Sequence, residues 1–278
     1  MQTETAWAKI NLALHVRRRR ADGFHEIESL FAFAADGDAL AFEPADDLTL
    51  AIDGPFAAGL ETGQGNLVIR AAQALRSAFG IVAGARLTLT KILPVAAGIG
   101  GGSADAAAAL RLLARQWGID PADARVAAIA ADLGADVPAC LASRTLRGEG
   151  RGDALAFIED AGLTGMPLLL VNPRIALSTG PVFAGWDGED RGPLAAGDPL
   201  EAARVGRNDL QPPAVALVPE IGALVETLEA LDGLRLARMS GSGATCFALF
   251  ENAAARGAGA TLIRDHWPHC WSLETRLK

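Results

Sequence analysis

The sequence predicts an α+β fold in two parts, with the boundary near residues 155–165. Segments in which apolar and polar residues alternate, as in half-buried strands, occur near both ends of the chain and between the predicted helices. The predicted strands and helices lack the regular spacing of a doubly wound parallel sheet, which favours α+β over that class. A length of 278 residues fits one large or two medium domains, and a hydrophobic fraction of 50% excludes global disorder.

The amino-terminal part is predicted to begin with strands. Even-numbered positions from 6 to 16 are all apolar, and the odd-numbered positions include Lys9 and Asn11, so this segment predicts a strand. Its continuation is predicted as a solvated turn over residues 17–23, a strand over 24–34, a turn over 36–38 and a short strand over 48–52.

Three helices are predicted from a capping residue at the start and a glycine at the end. They run from Asn66 to Gly80, from Ser103 as N-cap to Gly118, and from Asp120-Pro121 to Gly134. A strand over residues 86–92 separates the first two. Beyond residue 150 the pattern predicts strands over 154–158, 166–172, 234–239, 244–250 and 269–275, and helices over 198–204, 219–231 and 252–264.

Composition narrows the function. A net charge of −8 argues against general nucleic-acid binding, for which a basic face is expected. Because the overall charge repels an anionic substrate, such a substrate must be bound by local positive charges or backbone N–H groups. Glu4 and Lys9 interrupt any secretory signal and no run of 18 apolar residues is present, so we expect a cytoplasmic chain without membrane association. Three widely spaced cysteines fit a reducing compartment, and Cys270 beside two histidines is a weak zinc signal.

A glycine-rich loop from Pro94 to Ser103 directly precedes the second predicted helix. Glycines allow backbone N–H groups to approach a phosphate closely, and a helix N-terminus adds partial positive charge, so the loop predicts an anion-binding cradle. The loop lacks the Gly-Lys-Ser/Thr of a Walker motif, and the dinucleotide fingerprint requires a glycine where Ser103 stands. The remaining alternative is a flexible turn. A second element, residues 240–243, predicts a hairpin turn that could flank the same phosphate.

These motifs together resemble the GHMP kinases, the superfamily of galactokinase, homoserine kinase, mevalonate kinase and phosphomevalonate kinase. The match extends over nearly the whole chain. It rests on Ala8-Lys9-Ile10-Asn11-Leu12, Arg20 to Glu26, Pro94 to Ser103, Leu133 to Pro138, Asn208-Asp209 and Met239 to Gly243. The resemblance implies a ribosomal-S5-like amino-terminal domain over residues 1–158 and a ferredoxin-like carboxy-terminal domain over residues 159–278.

The resemblance further implies an ATP-dependent kinase of non-mevalonate isoprenoid synthesis, with Mg²⁺ accompanying the nucleotide. Its implied substrate is the 2-hydroxyl of 4-diphosphocytidyl-2-C-methyl-D-erythritol. We therefore expect a small-molecule enzyme, monomeric or homodimeric, that binds no nucleic acid. The acidic residues show no spacing that identifies a metal-binding carboxylate, although Ser103 is a possible ligand.

Catalytic and binding roles are also carried over from the resemblance. Asp136 matches the general base that takes the substrate's hydroxyl proton, and Lys9 would keep Asp136 ionised and offset charge on the reacting oxygens. The ATP-binding positions are Pro94, Val95, Ala96, Ala97, Gly98, Ile99, Gly100, Gly101, Gly102 and Ser103. The substrate-binding positions are Asn11, Phe24, His25 and Thr179, with Phe24 where the family usually has tyrosine.

Residue patterns alone leave other roles open for these positions. Lys9 would be a solvent-facing strand residue, Asp136 a helix cap and Phe24 a core residue, with His25 a polar residue at a strand edge. Two other functions also remain open on sequence: a mevalonate-diphosphate-type decarboxylase, which shares the glycine loop, and a non-catalytic nucleotide-binding paralogue.

Overall fold

A computed structural model describes residues 2–158 and 162–278. By its internal contacts the chain divides into two units. The first unit comprises Met1–Ala8, Asp36–Val95 and Gly100–Ser143, and the second comprises Lys9–Ala35, Ala96–Ile99 and Arg144–Lys278. The predicted boundary between residues 158 and 159 adjoins the gap at residues 159–161, outside the described residues, and stays a prediction.

Strands and helices alternate irregularly along the described chain. The strands are β1 (Gln2–Arg19), β2 (His25–Ala45), β3 (Leu48–Asp53), β4 (Gly84–Thr90), β5 (Leu146–Gly150), β6 (Ala154–Phe157), β7 (Pro167–Asn172), β8 (Leu234–Met239), β9 (Cys246–Phe250) and β10 (Trp271–Arg276). The helices are α1 (Leu67–Phe79), α2 (Gly101–Gln116), α3 (Ala124–Leu133), α4 (Val137–Ala142), α5 (Thr179–Ala184), α6 (Pro199–Val205), α7 (Gln211–Leu217), α8 (Pro219–Glu229) and α9 (Ala253–His266). In the described part of the chain, none of these helices combines the length and apolarity needed to cross a bilayer.

The first unit packs helices with a mixed sheet. The second half of β2 pairs antiparallel with β4, and β4 pairs parallel with β3. Leu87 and Leu89 of β4 are fully buried. Nearly all of α2 between Ala104 and Ala114 is also buried, and α2 contacts both α1 and α4. Because alanine adds little volume beyond the backbone, an alanine-rich helix can approach its neighbours closely on several sides.

The second unit contains an antiparallel sheet with strand order β10-β7-β9-β8. Helix α8 places Ile221, Leu224, Val225 and Leu228 on one buried face at helical spacing, in the same apolar cluster as Phe250 of β9. The first half of β2 also belongs to this unit and pairs antiparallel with β5, which in turn pairs with β6.

Most predicted elements are confirmed, and those with strong end signals agree best. Helix α1 occupies the predicted residues. Its N-cap Asn66 accepts a hydrogen bond from the Val68 N–H at 2.9 Å, and Gly80 ends it with a φ of 64°. Strand β8 matches the predicted range, and the other predicted strands and helices of the second half are displaced by a few residues at most.

The predicted turn at residues 36–38 is wrong, because β2 continues through it. A Cβ on Gly37 would lie 1.9 Å from the carbonyl oxygen of Ala6, so glycine at this position permits close backbone approach inside a strand. The predicted turn over residues 17–23 also starts too early, since β1 extends to Arg19.

Two predicted helix starts are wrong as well. Helix α2 begins at Gly101 with Gly100 as N-cap, so Ser103 lies inside the first turn and is not the cap. Helix α3 begins at Ala124 with Asp123 as its cap. Asp120 instead accepts a hydrogen bond from the Ala122 N–H at 2.9 Å, which forms a turn before the helix. Four short elements, β5, α4, α5 and α7, were not predicted, because five to seven residues give too little periodicity.

A group of buried charges lies in the first unit beside the start of α2. The Lys91 ammonium contacts the carboxylates of Asp38 and Asp105, the latter at 2.7 Å. Asp38 also accepts hydrogen bonds from the N–H groups of Ile92 and Leu93, at 2.6 and 2.9 Å. The second carboxylate oxygen of Asp105, Oδ1, is buried and has no hydrogen-bond partner among the described residues. Asp105 is therefore the less stabilised of the two anions.

The ionisation of Asp105 makes stability depend on pH. Burial, opposed by Lys91 and reinforced by the nearby charge of Asp38, raises the pKa of Asp105 from 3.8 to about 7. Between these values the folded chain binds a proton that the unfolded chain does not, so the free energy of unfolding falls as the pH rises. Asp105→Asn removes this titration. We expect the stability of the wild-type chain, relative to the variant, to decrease between pH 4 and pH 7 in urea titrations; a constant difference would contradict this assignment.

Candidate active site

The glycine loop contacts the second glycine motif within the second unit. Gly98 has a φ of 74°, and a Cβ placed on it would lie 2.5 Å from the Ser240 carbonyl oxygen and 2.6 Å from that of Gly243. The Ser240 hydroxyl donates to the Gly98 carbonyl at 3.0 Å, and the Thr245 N–H donates to the Ala97 carbonyl at 3.1 Å. The two segments therefore pack backbone to backbone, and residues 240–243 are more than an isolated hairpin turn.

The loop then opens helix α2, whose first residues belong to the first unit. Gly100, the N-cap, has a φ of 64° and no side chain to accept from the first-turn N–H groups. These N–H groups have no acceptor within the helix, so they are available to an anion. A Cβ on Gly101 would meet only the Lys91 Nζ at 3.5 Å and Asp38 at 4.0 Å, which leaves the loop backbone open on this side. The geometry is that of an anion cradle.

Ala96 occupies a backbone conformation that favours glycine. Its φ of 52° lies in the left-handed region. A Cβ in this region costs roughly 1–2 kcal/mol. The residue types and spacing in the loop gave no sign of this backbone conformation.

Lys9 and Asn11 are both buried, so the alternative role of Lys9 as a solvent-facing strand residue is wrong. Lys9 is 4% exposed, its N–H donates to the Ile99 carbonyl at 3.0 Å, and its Nζ lies 4.9 Å from the centre of the Phe31 ring. A buried ammonium is stable only near negative charge or other acceptors. This location fits a group that meets an anionic substrate.

Asn11 connects the first strand to the second glycine motif. Its N–H donates to the Ser240 hydroxyl at 3.1 Å, and its Nδ2 donates to the Ser29 hydroxyl at 2.7 Å. Its Oδ1 is buried and, in residues 2–158 and 162–278, has no hydrogen-bond partner. A buried acceptor without a donor is costly, which marks Asn11 as a candidate ligand-binding residue.

Asp136 lies in the first unit at the start of α4. It is the N-cap residue, but its carboxylate makes no capping hydrogen bond, while its carbonyl accepts from the Cys140 N–H at 3.0 Å. The interpretation of this side chain as a helix cap is therefore wrong.

Phe24 and His25 differ strongly in exposure. Phe24 is 54% exposed, so its interpretation as a core residue is wrong; the Arg151 guanidinium lies 5.5 Å from its ring centre. His25 is 9% exposed and its ring packs against Phe183, at 4.9 Å between ring centres, and edge-on against Trp186 at 5.8 Å.

The imidazole of His25 is held neutral near pH 7. Desolvation, and then the positive charge of Arg19, lower its pKa below 6.5. Its Nε2 is buried without a hydrogen-bond partner in the described chain. A neutral imidazole can donate from one ring nitrogen and accept at the other, so His25 can read the hydrogen-bonding edge of a planar ligand.

Thr179 begins α5 and contacts the second glycine motif, since its hydroxyl lies 3.0 Å from that of Ser242. Within the second unit the structure thus joins Lys9 and Asn11 to the glycine motifs, and Thr179 to Ser242. His25 forms a separate cluster with Phe183 and Trp186.

Sequence reasoning missed several residues of these clusters. Ser240 was predicted only as part of a turn, although its hydroxyl accepts a hydrogen bond from the Asn11 N–H and donates one to the Gly98 carbonyl. Asn208, noted as a motif residue, donates to the carbonyls of Met239 and Gly241, both at 2.8 Å. Phe183 lies in a six-residue helix and gave no signal. In the residues that the structure describes, no three His, Cys, Asp or Glu side chains could together hold a metal.

Comparison with known proteins agrees with this geometry. The model of the GHMP kinases N terminal domain matches residues 66–144, and that of the GHMP kinases C terminal domain matches residues 192–269. A 4-diphosphocytidyl-2-C-methyl-D-erythritol kinase of Rhizorhabdus wittichii is 59% identical, covering 99% of this chain and 94% of the relative. One from Sphingopyxis alaskensis is 51% identical, covering 99% and 98%.

Solved structures show the same relationship. A crystal structure of 4-(cytidine 5'-diphospho)-2C-methyl-D-erythritol kinase superposes with a TM-score of 0.80 at 35% identity, covering 99% of both chains. A mevalonate kinase shares the fold alone, with a TM-score of 0.72 at 10% identity and coverage of 100% of this chain and 99% of that one. Family models match both halves of the chain, relatives are more than 50% identical to it, and the predicted α+β fold is confirmed. The chain therefore belongs to the GHMP kinases.

Proposed function

We propose that this chain transfers the γ-phosphoryl group of ATP to the 2-hydroxyl of 4-diphosphocytidyl-2-C-methyl-D-erythritol, in isoprenoid precursor synthesis by the non-mevalonate route. The relatives at 51–59% identity bear this kinase's name, which disfavours a decarboxylase. Among the features of the site, His25 supports the substrate best. Its neutral, buried imidazole with an unpartnered Nε2 suits a base such as cytosine, which offers both donors and acceptors.

Base binding would use two aromatic features. Phe24 is exposed enough to stack on a planar base, and the ring of Phe183 packs against the ring of His25. Stacking contributes roughly 1–3 kcal/mol per base and requires no hydroxyl, so phenylalanine serves where relatives carry tyrosine. His25 would then supply the hydrogen bonds that distinguish cytosine from other bases.

Phosphoryl transfer would use two charged residues. Asp136, whose carboxylate does not cap its helix, takes the proton from the 2-hydroxyl as that oxygen attacks the γ-phosphorus. The buried ammonium of Lys9 offsets the negative charge that develops on the reacting oxygens. Asn11 and Thr179, which both adjoin the second glycine motif, would bind the substrate.

ATP would bind through residues 94–103. The first-turn N–H groups of α2 and the left-handed glycines receive the phosphates, and no Cβ blocks the backbone at Gly101. Mg²⁺, when bound with ATP, would neutralise phosphate charge, and Ser103 in the first turn of α2 is a possible ligand.

Several coarser properties belong to the same proposal. The domains would be residues 1–158 and 159–278. Three cysteines without disulfides suit the reducing cytoplasm. A net charge of −8 suits a small-molecule enzyme that binds no nucleic acid, acting as a monomer or homodimer.

The direct test is incubation with ATP, Mg²⁺ and a panel of cytidylated, uridylated and free sugar alcohols, with phosphate transfer read by mass spectrometry. One phosphate should be added to the cytidylated methylerythritol alone. Release of carbon dioxide from mevalonate diphosphate, or ATP binding without transfer to any acceptor, would overturn the proposal.

Asp136→Asn should reduce kcat by about 10²–10⁴-fold, because the variant keeps the size of the side chain but loses the base. Steady-state kinetics and ATP titration by calorimetry measure the two effects, and ATP affinity should change little. Asp132→Asn, an exposed carboxylate in the neighbouring helix α3, is the matched control and should retain activity. Near-normal turnover of Asp136→Asn would remove it from the mechanism.

Gly101→Val should weaken ATP binding by filling the open side of the loop without unfolding the chain. Its backbone is helical, and a Cβ at this position would make only ordinary van der Waals contacts, at 3.5 Å from the Lys91 Nζ and 4.0 Å from Asp38. Gly257→Val, in helix α9 with only Glu274 at 3.9 Å, controls for a β-branched residue in a helix. Unchanged ATP affinity in a folded Gly101→Val chain would contradict the cradle.

Phe24→Ala should raise the KM for the cytidylated substrate by about 5- to 150-fold, the equivalent of one lost stack, and leave the KM for ATP unchanged. Since Phe24 is 54% exposed, the melting temperature should change little. Phe24→Tyr should behave like the wild-type chain. A stable Phe24→Ala enzyme with an unchanged KM for the cytidylated substrate would exclude base stacking at this position.

A further inference from the structure

The ring of His25 is enclosed by an aromatic wall, defined here as Phe183 and Trp186. Besides the unpartnered Nε2 of His25, the indole Nε1 of Trp186 is buried and has no hydrogen-bond partner in the part of the chain described. Buried polar atoms without partners are few in native proteins, and two at one ring cluster indicate a surface kept for a ligand. The position of the wall therefore matters for base recognition.

Secondary structure alone does not fix the wall. Helix α5, which carries Phe183, has only six residues, and residues 186–198 form neither helix nor strand before α6. Immediately after Trp186 the chain folds locally, because Asp187 accepts from the Glu189 N–H at 3.0 Å and pairs with Arg191. Contacts with residues outside 186–198 must therefore hold this stretch in place.

Residues 187–195, called here the tethered segment, make hydrogen bonds to other parts of the second unit at every second residue, at positions 190, 192 and 194. Asp190 receives two hydrogen bonds from Arg17, at 2.8 and 3.0 Å. The Gly192 carbonyl lies 3.1 Å from the His15 Nδ1 and accepts from Arg207 at 3.0 Å. The neutral tautomer of His15 with a proton on Nδ1 satisfies both its contacts, since its Nε2 accepts from the Arg207 N–H at 3.2 Å.

Glu28 is the central anchor of the tethered segment. Its carboxylate accepts from the Leu194 N–H at 2.8 Å and from Arg147 at 2.9 Å, and it also contacts Arg17. Arg147 in turn donates to the carbonyls of Leu194 and Ala195. Burial opposes ionisation, but the hydrogen bonds from Leu194, Arg147 and Arg17 hold the pKa of Glu28 below its usual value. One half-buried carboxylate thus joins β2, the arginines of β1 and β5, and the tethered segment.

We propose that Glu28 is a positioning residue for base recognition: it holds the tethered segment and thereby sets the aromatic wall against His25. This inference rests on the proposed cytidylated substrate. Glu28 lies three residues after His25 on the same strand, so the strand that presents the imidazole also fixes the chain that encloses it. Glu28 touches neither reacting group, so its effect is on binding of the substrate and not on the chemical step.

The test compares Glu28→Gln with Glu149→Gln. The two carboxylates both pair with Arg147, but Glu149 is 61% exposed and lies 3.5 Å from Arg147, and the Leu194 N–H donates to Glu28. Glutamine at position 28 keeps the size but turns one acceptor into a donor facing the arginines. We expect faster amide hydrogen exchange in residues 186–197 of Glu28→Gln, and a KM for the cytidylated substrate raised about 10- to 150-fold, the range for a lost charged hydrogen bond.

The expected kcat and KM for ATP of Glu28→Gln are those of the wild-type chain, and Glu149→Gln should match the wild type throughout. Faster exchange without a change in the KM for the cytidylated substrate would overturn the positioning role, and so would unchanged exchange. A parallel fall in kcat and in affinity for ATP would show general damage and overturn it too. If the wild-type chain itself fails to phosphorylate the cytidylated substrate, the proposed function fails, a result seen without any variant.

Discussion

The close approach of two backbone segments at Gly98 is the constraint on which the second unit's part of the site depends. The glycine loop and residues 240–243 are so near each other that a Cβ at Gly98 would lie 2.5 Å from a carbonyl oxygen. The same contact places the Ser240 hydroxyl where it binds both the Gly98 carbonyl and the Asn11 N–H. A turn rich in glycine is therefore also the attachment point of the strand that carries Lys9 and Asn11. Loss of this approach would separate groups that are distant in sequence.

Buried polar groups mark the parts of the molecule that are arranged for chemistry and not for packing. Asn11, His25 and Trp186 each bury a polar atom without a partner in the described chain, and Lys9 is a buried cation. Each would lower stability relative to a well-paired or apolar side chain. Glu28 is the opposite case, since both oxygens of its carboxylate have partners: Oε1 pairs with Arg17, and Oε2 accepts from Leu194 and Arg147. We interpret the first set as ligand-binding groups and Glu28 as the support that fixes their surroundings.

Sequence patterns predicted elements best where the chain marks its own ends. Asn66 and Gly80 fix helix α1, because the cap side chain and the left-handed glycine act within one turn of their own positions. Gly37 and Ser103 were misassigned for the reverse reason. A glycine within a strand looks in sequence like a turn, and only the close carbonyl of Ala6 shows that Gly37 lies in a strand. A serine in the first turn of a helix looks in sequence like an N-cap, and only the φ of Gly100 shows that the cap lies three residues earlier.

The sequence by itself determined the α+β class and predicted an anion-binding loop at residues 94–103. It also carried the resemblance that assigned Lys9, Asp136, Phe24 and His25, because these depend on residue type and short spacing. Tertiary structure alone decided which of those side chains are buried, that Ser240 and Asn208 support the glycine motifs, and that Glu28 holds residues 187–195. Those contacts join residues separated by up to 229 positions along the chain. Periodicity and capping extend over a few residues, so no local pattern could have predicted them.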